Sequence, residues 1–336
     1  NIVNELTEGA DIYNGTAGDD VRGMVGVDAG NDLFNMGLGD DWVTGGIGND
    51  TINGGDGYDV LSYDQTHWNE GIAMVRGITV DVDAGTVLDP FGFTDQISGI
   101  EYIQGSATRD LFIGGAESMR FGGMRGSDTF VGGTGDDWVG YQDDSWLGGM
   151  RGIVVSLQTS ASGGDILGTI RDGFGSLDRT VNIHNVAGTR HDDVFNGSSV
   201  GNSFAGAEGR DSYNGGGGMD WVDFGWNFTG ADQHGIIVNL KLASGKIVDD
   251  AFGNTEEAVS IEGIRGSQQD DRIIGNAIAN SITGNQGDDT LTGGGGRDTF
   301  LWERHFELGG ADVITDFHAG AGANQELTPH SVVLPS

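Results

Sequence analysis

Apolar residues recur every nine positions through most of this chain, each flanked by polar neighbours and preceded by a glycine-rich turn. The unit reads G-G-x-G-x-D-x-U-x, with U apolar. It is clearest at Gly45-Gly46-Ile47-Gly48-Asn49-Asp50-Thr51-Ile52-Asn53 and at Gly284-Asn285-Gln286-Gly287-Asp288-Asp289-Thr290-Leu291-Thr292. Six residues turn and three extend, so x-U-x predicts a short strand with one inward side chain. Two units make one coil, and units n and n+2 stack on the same side, about 4.8 Å apart. The eighth positions then predict two facing core ladders: Phe34, Val43, Ile52, Leu61, Phe112, Phe121, Phe130, Val139, Phe195, Phe204, Tyr213, Val222, Ile273, Ile282, Leu291 and Phe300. No helical period runs over a useful length, so a helical domain is not expected.

A longer period of about eighty residues overlies the short one. Four blocks, each of four units in register, occupy 27–62, 105–140, 188–223 and 266–301. They are separated by β linkers at 63–104, 141–187 and 224–265, with an N-terminal cap or degenerate repeat at 1–26 and a C-terminal cap at 302–336. Each linker holds an alternating strand (Ile78/Val80/Val82, Ile153/Val155/Leu157, Ile236/Val238/Leu240). Each then ends in an apolar-glycine run into the next block, such as Ile100-Glu101-Tyr102-Ile103-Gln104-Gly105. The pattern predicts one all-β solenoid, because each unit can bury its apolar residue only against its neighbours.

Composition changes the picture by raising a stability problem. The chain has 64 Gly, 3 Pro, no Cys and a formal charge of −35. Ordering glycine is entropically expensive, and carboxylates at this density repel one another. Without disulfides, the loops need another staple. A divalent cation between stacked loops would serve, and its binding free energy would become folding free energy. Oxygen ligands on flexible loops favour Ca²⁺ over Mg²⁺. About eight calcium ions would bring roughly +16, and −35 + 16 leaves about −19.

The sixth positions are the expected ligands: Asp32, Asp41, Asp50 and Asp59; Asp110, Asp128 and Asp137; Asp193, Asn202, Asp211 and Asp220; Asp271, Asn280, Asp289 and Asp298. Loop carbonyls of Gly45, Gly48, Gly123, Gly126, Gly132, Gly206, Gly209, Gly284 and Gly287 are expected to complete the coordination. Met119 interrupts the second block and offers no oxygen, so the pocket between its loop and that of Asp137 is expected to be weak or empty. Trp42, Trp138 and Trp221 fall at outward seventh positions. They call for a linker cover, with Trp68, Trp146 and Trp226 as candidates, or form a protein or glycan contact surface.

The repeat resembles the RTX, or haemolysin-type calcium-binding, family. That resemblance implies a right-handed parallel β-roll, export unfolded by type I secretion and folding in extracellular calcium, hence a secreted or bacterial cell-surface protein. The tail Asp312-Val313-Ile314-Thr315-Asp316-Phe317 is similar to the segment that closes such rolls, and 331–336 is compatible with an export signal. Catalytic signals are weak. There is no H-E-x-x-H, and Gly197-Ser198-Ser199-Val200-Gly201 fits G-x-S-x-G but lies in a nonapeptide loop. Asp89-Pro90-Phe91-Gly92-Phe93 has a faint similarity to sugar epimerases without the Tyr and His such a site uses. The charge disfavours nucleic acid, and no apolar stretch approaches a membrane span. A non-enzymatic extracellular scaffold (layer, fibre or adhesin segment), assembling with itself laterally or end to end or meeting cell-surface glycans, is the first functional expectation. The calcium-folding export module of a larger secreted hydrolase is the alternative, and a carbohydrate- or ice-binding array ranks last.

Overall fold

The computed structural model describes residues 9–22, 29–64, 76–160, 165–225, 234–242, 245–301, 310–317 and 325–327. They are almost wholly short β-strands and tight turns, with a single 3-10 turn at Gln142–Ser145 among the described residues. Two compact units are present, Asn1–Gly149 with Asp165–Asn185, and Met150–Gly164 with Val186–Ser336.

In the first unit, the first two nonapeptides of each block pair in parallel with the units eighteen residues on. Phe34 lies opposite Ile52 and Phe112 opposite Phe130 in one sheet; Val43 lies opposite Leu61 and Phe121 opposite Val139 in the other. The second unit repeats this with Phe195 opposite Tyr213 and Phe204 opposite Val222, then Ile273 opposite Leu291 and Ile282 opposite Phe300. Alternate units therefore feed alternate sheets, and the fold is a parallel β-roll. The reason is the period: one apolar side chain per three-residue strand points inward, and only a rung above and below can cover it. All sixteen eighth-position side chains are buried. Their aromatic members stack along the interior: Phe112 and Phe130 are parallel at 5.0 Å, and Phe195 and Tyr213 at 5.1 Å.

The linkers depart from pure parallel pairing. In the first unit, Thr94–Ser98 continues the parallel ladder from Thr51–Asp56, then pairs antiparallel with Thr86–Leu88, which pairs antiparallel with Thr79–Asp81. Thr79–Asp81 returns the sheet to parallel pairing with Leu111–Ile113. The second unit has the same meander: Glu256–Val259, Lys246–Asp249 and Ile237–Asn239, ending in parallel with Arg272–Ile274. The opposite sheet stays parallel, with Val60–Ser62 passing to Tyr102–Gln104 and on to Arg120–Gly122. A linker is thus a widened rung with a hairpin inserted on one side.

The hairpin turn has a sequence signature, D-x-F-G, at Asp89, Asp172 and Asp250. Asp89 Oδ1 accepts backbone N–H bonds from Phe91, Gly92 and Phe93 at 2.9, 2.6 and 2.7 Å. Asp172 Oδ1 accepts from Phe174 and Ser176, and Asp250 Oδ1 from Phe252 and Asn254. The glycine sits at φ 99° in the first turn, where a side chain is disfavoured. The segment with epimerase similarity is therefore a turn-capping device.

Candidate metal centres

The sixth-position side chains form columns on the roll. In each column the backbone N–H of one rung donates to the side chain of the next. Asp32 N–H donates to Asp50 Oδ1 at 2.8 Å, and Asp41 N–H to Asp59 Oδ1 at 2.9 Å. The same bond joins Asp110 to Asp128, Asp193 to Asp211, Asn202 to Asp220, Asp271 to Asp289, and Asn280 to Asp298. All fifteen expected ligand side chains are buried within these columns.

The linkers supply further members that the nonapeptide pattern alone does not reveal. Asp50 N–H donates to Asp95, Asp59 to Glu101, Asp128 to Asp178, Asp211 to Glu256, Asp220 to Glu262 and Asp289 to Asp312. The available signal was the shorter string acid-x-apolar-x-Gly, as in Asp95-Gln96-Ile97-Ser98-Gly99 and Glu262-Gly263-Ile264-Arg265-Gly266. Asp178 and Glu256 carry Thr180 and Ala258 at the inward place, which blurred it.

The glycines hold the rungs in contact. A Cβ on Gly45, Gly123, Gly206 or Gly284 would crowd the carboxylate of its own loop. One on Gly48, Gly126, Gly209 or Gly287 would collide with backbone of the loop eighteen residues earlier, and one on Gly132 with the Asn182 carbonyl. At Gly126 the intruding atom would stand 2.5 Å from the Thr108 oxygen, and φ is 147°.

Two loop states occur. In one, the second residue has positive φ: Gly37 (114°), Gly46 (98°), Gly55 (121°), Met124 (61°), Ala207 (71°), Gly216 (97°), Asn285 (68°) and Gly294 (95°). The sixth-position partners of these open loops are Asp41, Asp50, Asp59, Asp128, Asp211, Asp220, Asp289 and Asp298. Among the described residues, Oδ2 of Asp41, Asp59, Asp128, Asp220 and Asp289 is buried with no hydrogen-bond partner. Asp211 Oδ2 meets the Tyr213 hydroxyl at 3.3 Å.

In the closed state the second residue turns its N–H onto the sixth side chain. Ser106 donates to Asp110 Oδ2 at 2.7 Å, Gly133 to Asp137 Oδ2 at 2.8 Å, Thr189 to Asp193 Oδ2 at 2.7 Å and Ser267 to Asp271 Oδ2 at 2.6 Å. Ser198 and Asn276 donate likewise to Asn202 and Asn280. The hydroxyls of Ser106, Thr189 and Ser267 add a bond to Oδ1 at 2.7, 3.0 and 2.7 Å. Asp137 spends its other oxygen on the Met119 N–H at 3.0 Å.

Burial raises the carboxylates of both loop states. Burial, with Asp110 and Asp178 as nearby charges, pushes Asp128 up to about 10. Burial, with Asp193 and Glu256 nearby, pushes Asp211 up to about 10, and burial raises Asp289 to about 8 and Asp220 to about 6. Asp41 and Asp59 are raised by burial as well. The closed Asp110, Asp193 and Asp271 are raised to about 7 by burial, against the pull of their hydrogen bonds. A buried carboxylate with an idle oxygen needs a proton or a cation. Asp41, Asp59, Asp128, Asp220 and Asp289 have no ion-pair partner among the described residues. No group of three or more His, Cys, Asp or Glu side chains among the described residues is placed to hold a metal ion. Any cation here must take one or two carboxylates and complete its shell with loop carbonyls, a donor set of hard oxygens that suits Ca²⁺.

The family model of the RTX calcium-binding nonapeptide repeat matches four copies, at residues 7–21, 27–61, 122–139 and 265–300. These four segments carry the RTX calcium-binding nonapeptide repeat. Calcium is the ion that this repeat family binds. Residues 188–223 lie outside the matched segments, yet their rungs pair with the same eighteen-residue step. No curated protein matches the chain.

The tryptophans divide. Trp42 is 38% exposed, whereas Trp138 and Trp221 are half-buried, the Trp221 ring lying on the backbone of Gly263 in the adjacent rung. Trp146 is 69% exposed and gives little cover; Trp68 and Trp226 lie outside the described residues. The 331–336 segment, expected to be compatible with an export signal, also lies outside them. No helix among the described residues is long and apolar enough to cross a membrane.

Proposed function

We propose that this chain is a secreted, non-catalytic structural element whose roll is stiffened by calcium, with Asp41, Asp59, Asp128, Asp220 and Asp289 among the carboxylates that hold the ions. The observation that carries the reading is the set of buried Oδ2 atoms without a hydrogen-bond donor at the sixth positions of loops with positive φ. Calcium supplies the missing positive charge there; the chain supplies carboxylate and carbonyl oxygens and a glycine backbone that lets the rungs approach. Lateral or end-to-end assembly into a layer or fibre follows from repetition, which presents the same outward positions along the roll.

Calcium titration with native mass spectrometry and light scattering tests this. Several ions per chain, about eight by loop count, together with growth into large particles support the scaffold. Ion binding with a persistent monomer would favour an export module instead, and a chain that takes up no calcium would remove both.

A further inference from the structure

The second residue of each loop sorts the rungs into two chemical kinds. In the first loop of blocks two, three and four that residue is Ser106, Thr189 or Ser267. Each of these residues bonds twice to its own aspartate, through N–H and hydroxyl. The hydroxyl oxygen in turn accepts an N–H two residues on, at 3.2 Å for Thr108, 3.0 Å for His191 and 3.1 Å for Gln269. A third donor reaches the same carboxylates from the preceding rung: Ile78, Ile153 and Ile236, at 2.7, 2.6 and 2.8 Å. Oδ1 and Oδ2 of Asp110, Asp193 and Asp271 are therefore all engaged by protein donors. Eighteen residues on, the stacked loops of Asp128 and Asp289 have the second residue at positive φ and an idle Oδ2.

We propose that the backbone conformation at the second loop position decides which rungs take calcium: loops with positive φ there are the ion-binding ones, and the loops closed at Ser106, Thr189 and Ser267 are metal-free rungs that begin their blocks on protein hydrogen bonds alone. The inference rests on the calcium reading above and refines which carboxylates serve it. A carboxylate that already accepts three hydrogen bonds would have to surrender them to bind an ion, whereas the idle Oδ2 surrenders nothing. Asp137, closed by Gly133 and Met119, falls with the metal-free group, so the pocket beside Met119 holds no ion.

The test counts calcium per folded chain by native mass spectrometry after gel filtration, in four variants. Asp128→Asn and Asp289→Asn are expected to lose at least one ion each. Asp110→Asn and Asp271→Asn are expected to keep the wild-type number. The two pairs lie in separate blocks, so a variant that fails to fold leaves the other pair to decide. A further variant, Ser106→Gly, frees the loop to adopt positive φ and is expected to keep or raise the count. Equal loss from Asp110→Asn and Asp128→Asn, or no loss from Asp128→Asn and Asp289→Asn in a chain that binds calcium, overturns the sorting while leaving the calcium reading intact. A wild-type chain free of calcium overturns both.

Discussion

The Tyr63 hydroxyl donates to Asp95 Oδ2 at 2.7 Å in the interior of the roll. Tyr141 makes the same bond to Asp178 Oδ2 at 2.8 Å one linker later. Each tyrosine follows the last rung of its block and secures the acid that continues the column through the linker. In the third linker Phe224 stands at the matching point, and Glu256 Oε2 has no hydrogen-bond partner. Tyr63→Phe removes a buried donor and leaves Asp95 underbonded. The expected loss is about 1–3 kcal/mol in urea unfolding at fixed calcium.

Phe130 is fully buried and stacks on Phe112. Truncation leaves a cavity that the rungs above and below cannot close, because the backbone ladder fixes their spacing. Phe130→Ala is expected to cost about 3–5 kcal/mol, read as a lower Tm in saturating calcium.

Ala207 holds φ at 71°, a region that favours glycine. Its open-loop counterparts Gly46 and Gly216 reach positive φ without a Cβ penalty. Ala207→Gly relieves roughly 1–2 kcal/mol of backbone strain and adds about 0.5–1 kcal/mol of unfolded-chain entropy. A net gain of about 0.5 kcal/mol is expected by chemical denaturation.

Proton and calcium compete for the same oxygens. Carboxylates of an unfolded chain titrate near 3.9. In the calcium-free roll burial lifts Asp128 and Asp211 to about 10 and Asp289 to about 8. Between those limits the folded form binds more protons than the unfolded form, so its calcium-free stability falls as pH rises. Calcium binding displaces those protons and runs the other way. Titrations followed by circular dichroism at about pH 5 and about pH 8 are expected to show the calcium midpoint rising at the lower pH.

Much of this architecture is legible in the chain because one short period governs it. The apolar eighth position fixes which side chain of each strand is buried, and the glycines fix where the loops touch, so the core and the sixth-position columns within each block follow from spacing. The linker hairpins were less legible. Their strands alternate like any half-buried strand, and nothing in Ile78/Val80/Val82 distinguishes a parallel neighbour from an antiparallel one. Asp95 and Glu256 fall off the nonapeptide period because insertions place them 45 residues from their column partners rather than eighteen. The closed loops were hidden for another reason. Ser106 and Gly133 differ in side chain yet make the same N–H bond, and Gly133 and Gly46 share a side chain yet differ in φ, so loop state depends on more than residue type.

If calcium, by neutralising buried carboxylates, holds this acidic, glycine-rich chain in its rolled form, removing it must unroll the chain. Far-UV circular dichroism with small-angle X-ray scattering, before and after exhaustive EGTA dialysis near pH 7.5, tests it most directly. Loss of the β signal with expansion of the chain, both restored by adding calcium back, is the predicted result. A compact chain with undiminished β signal and no residual bound calcium would contradict it.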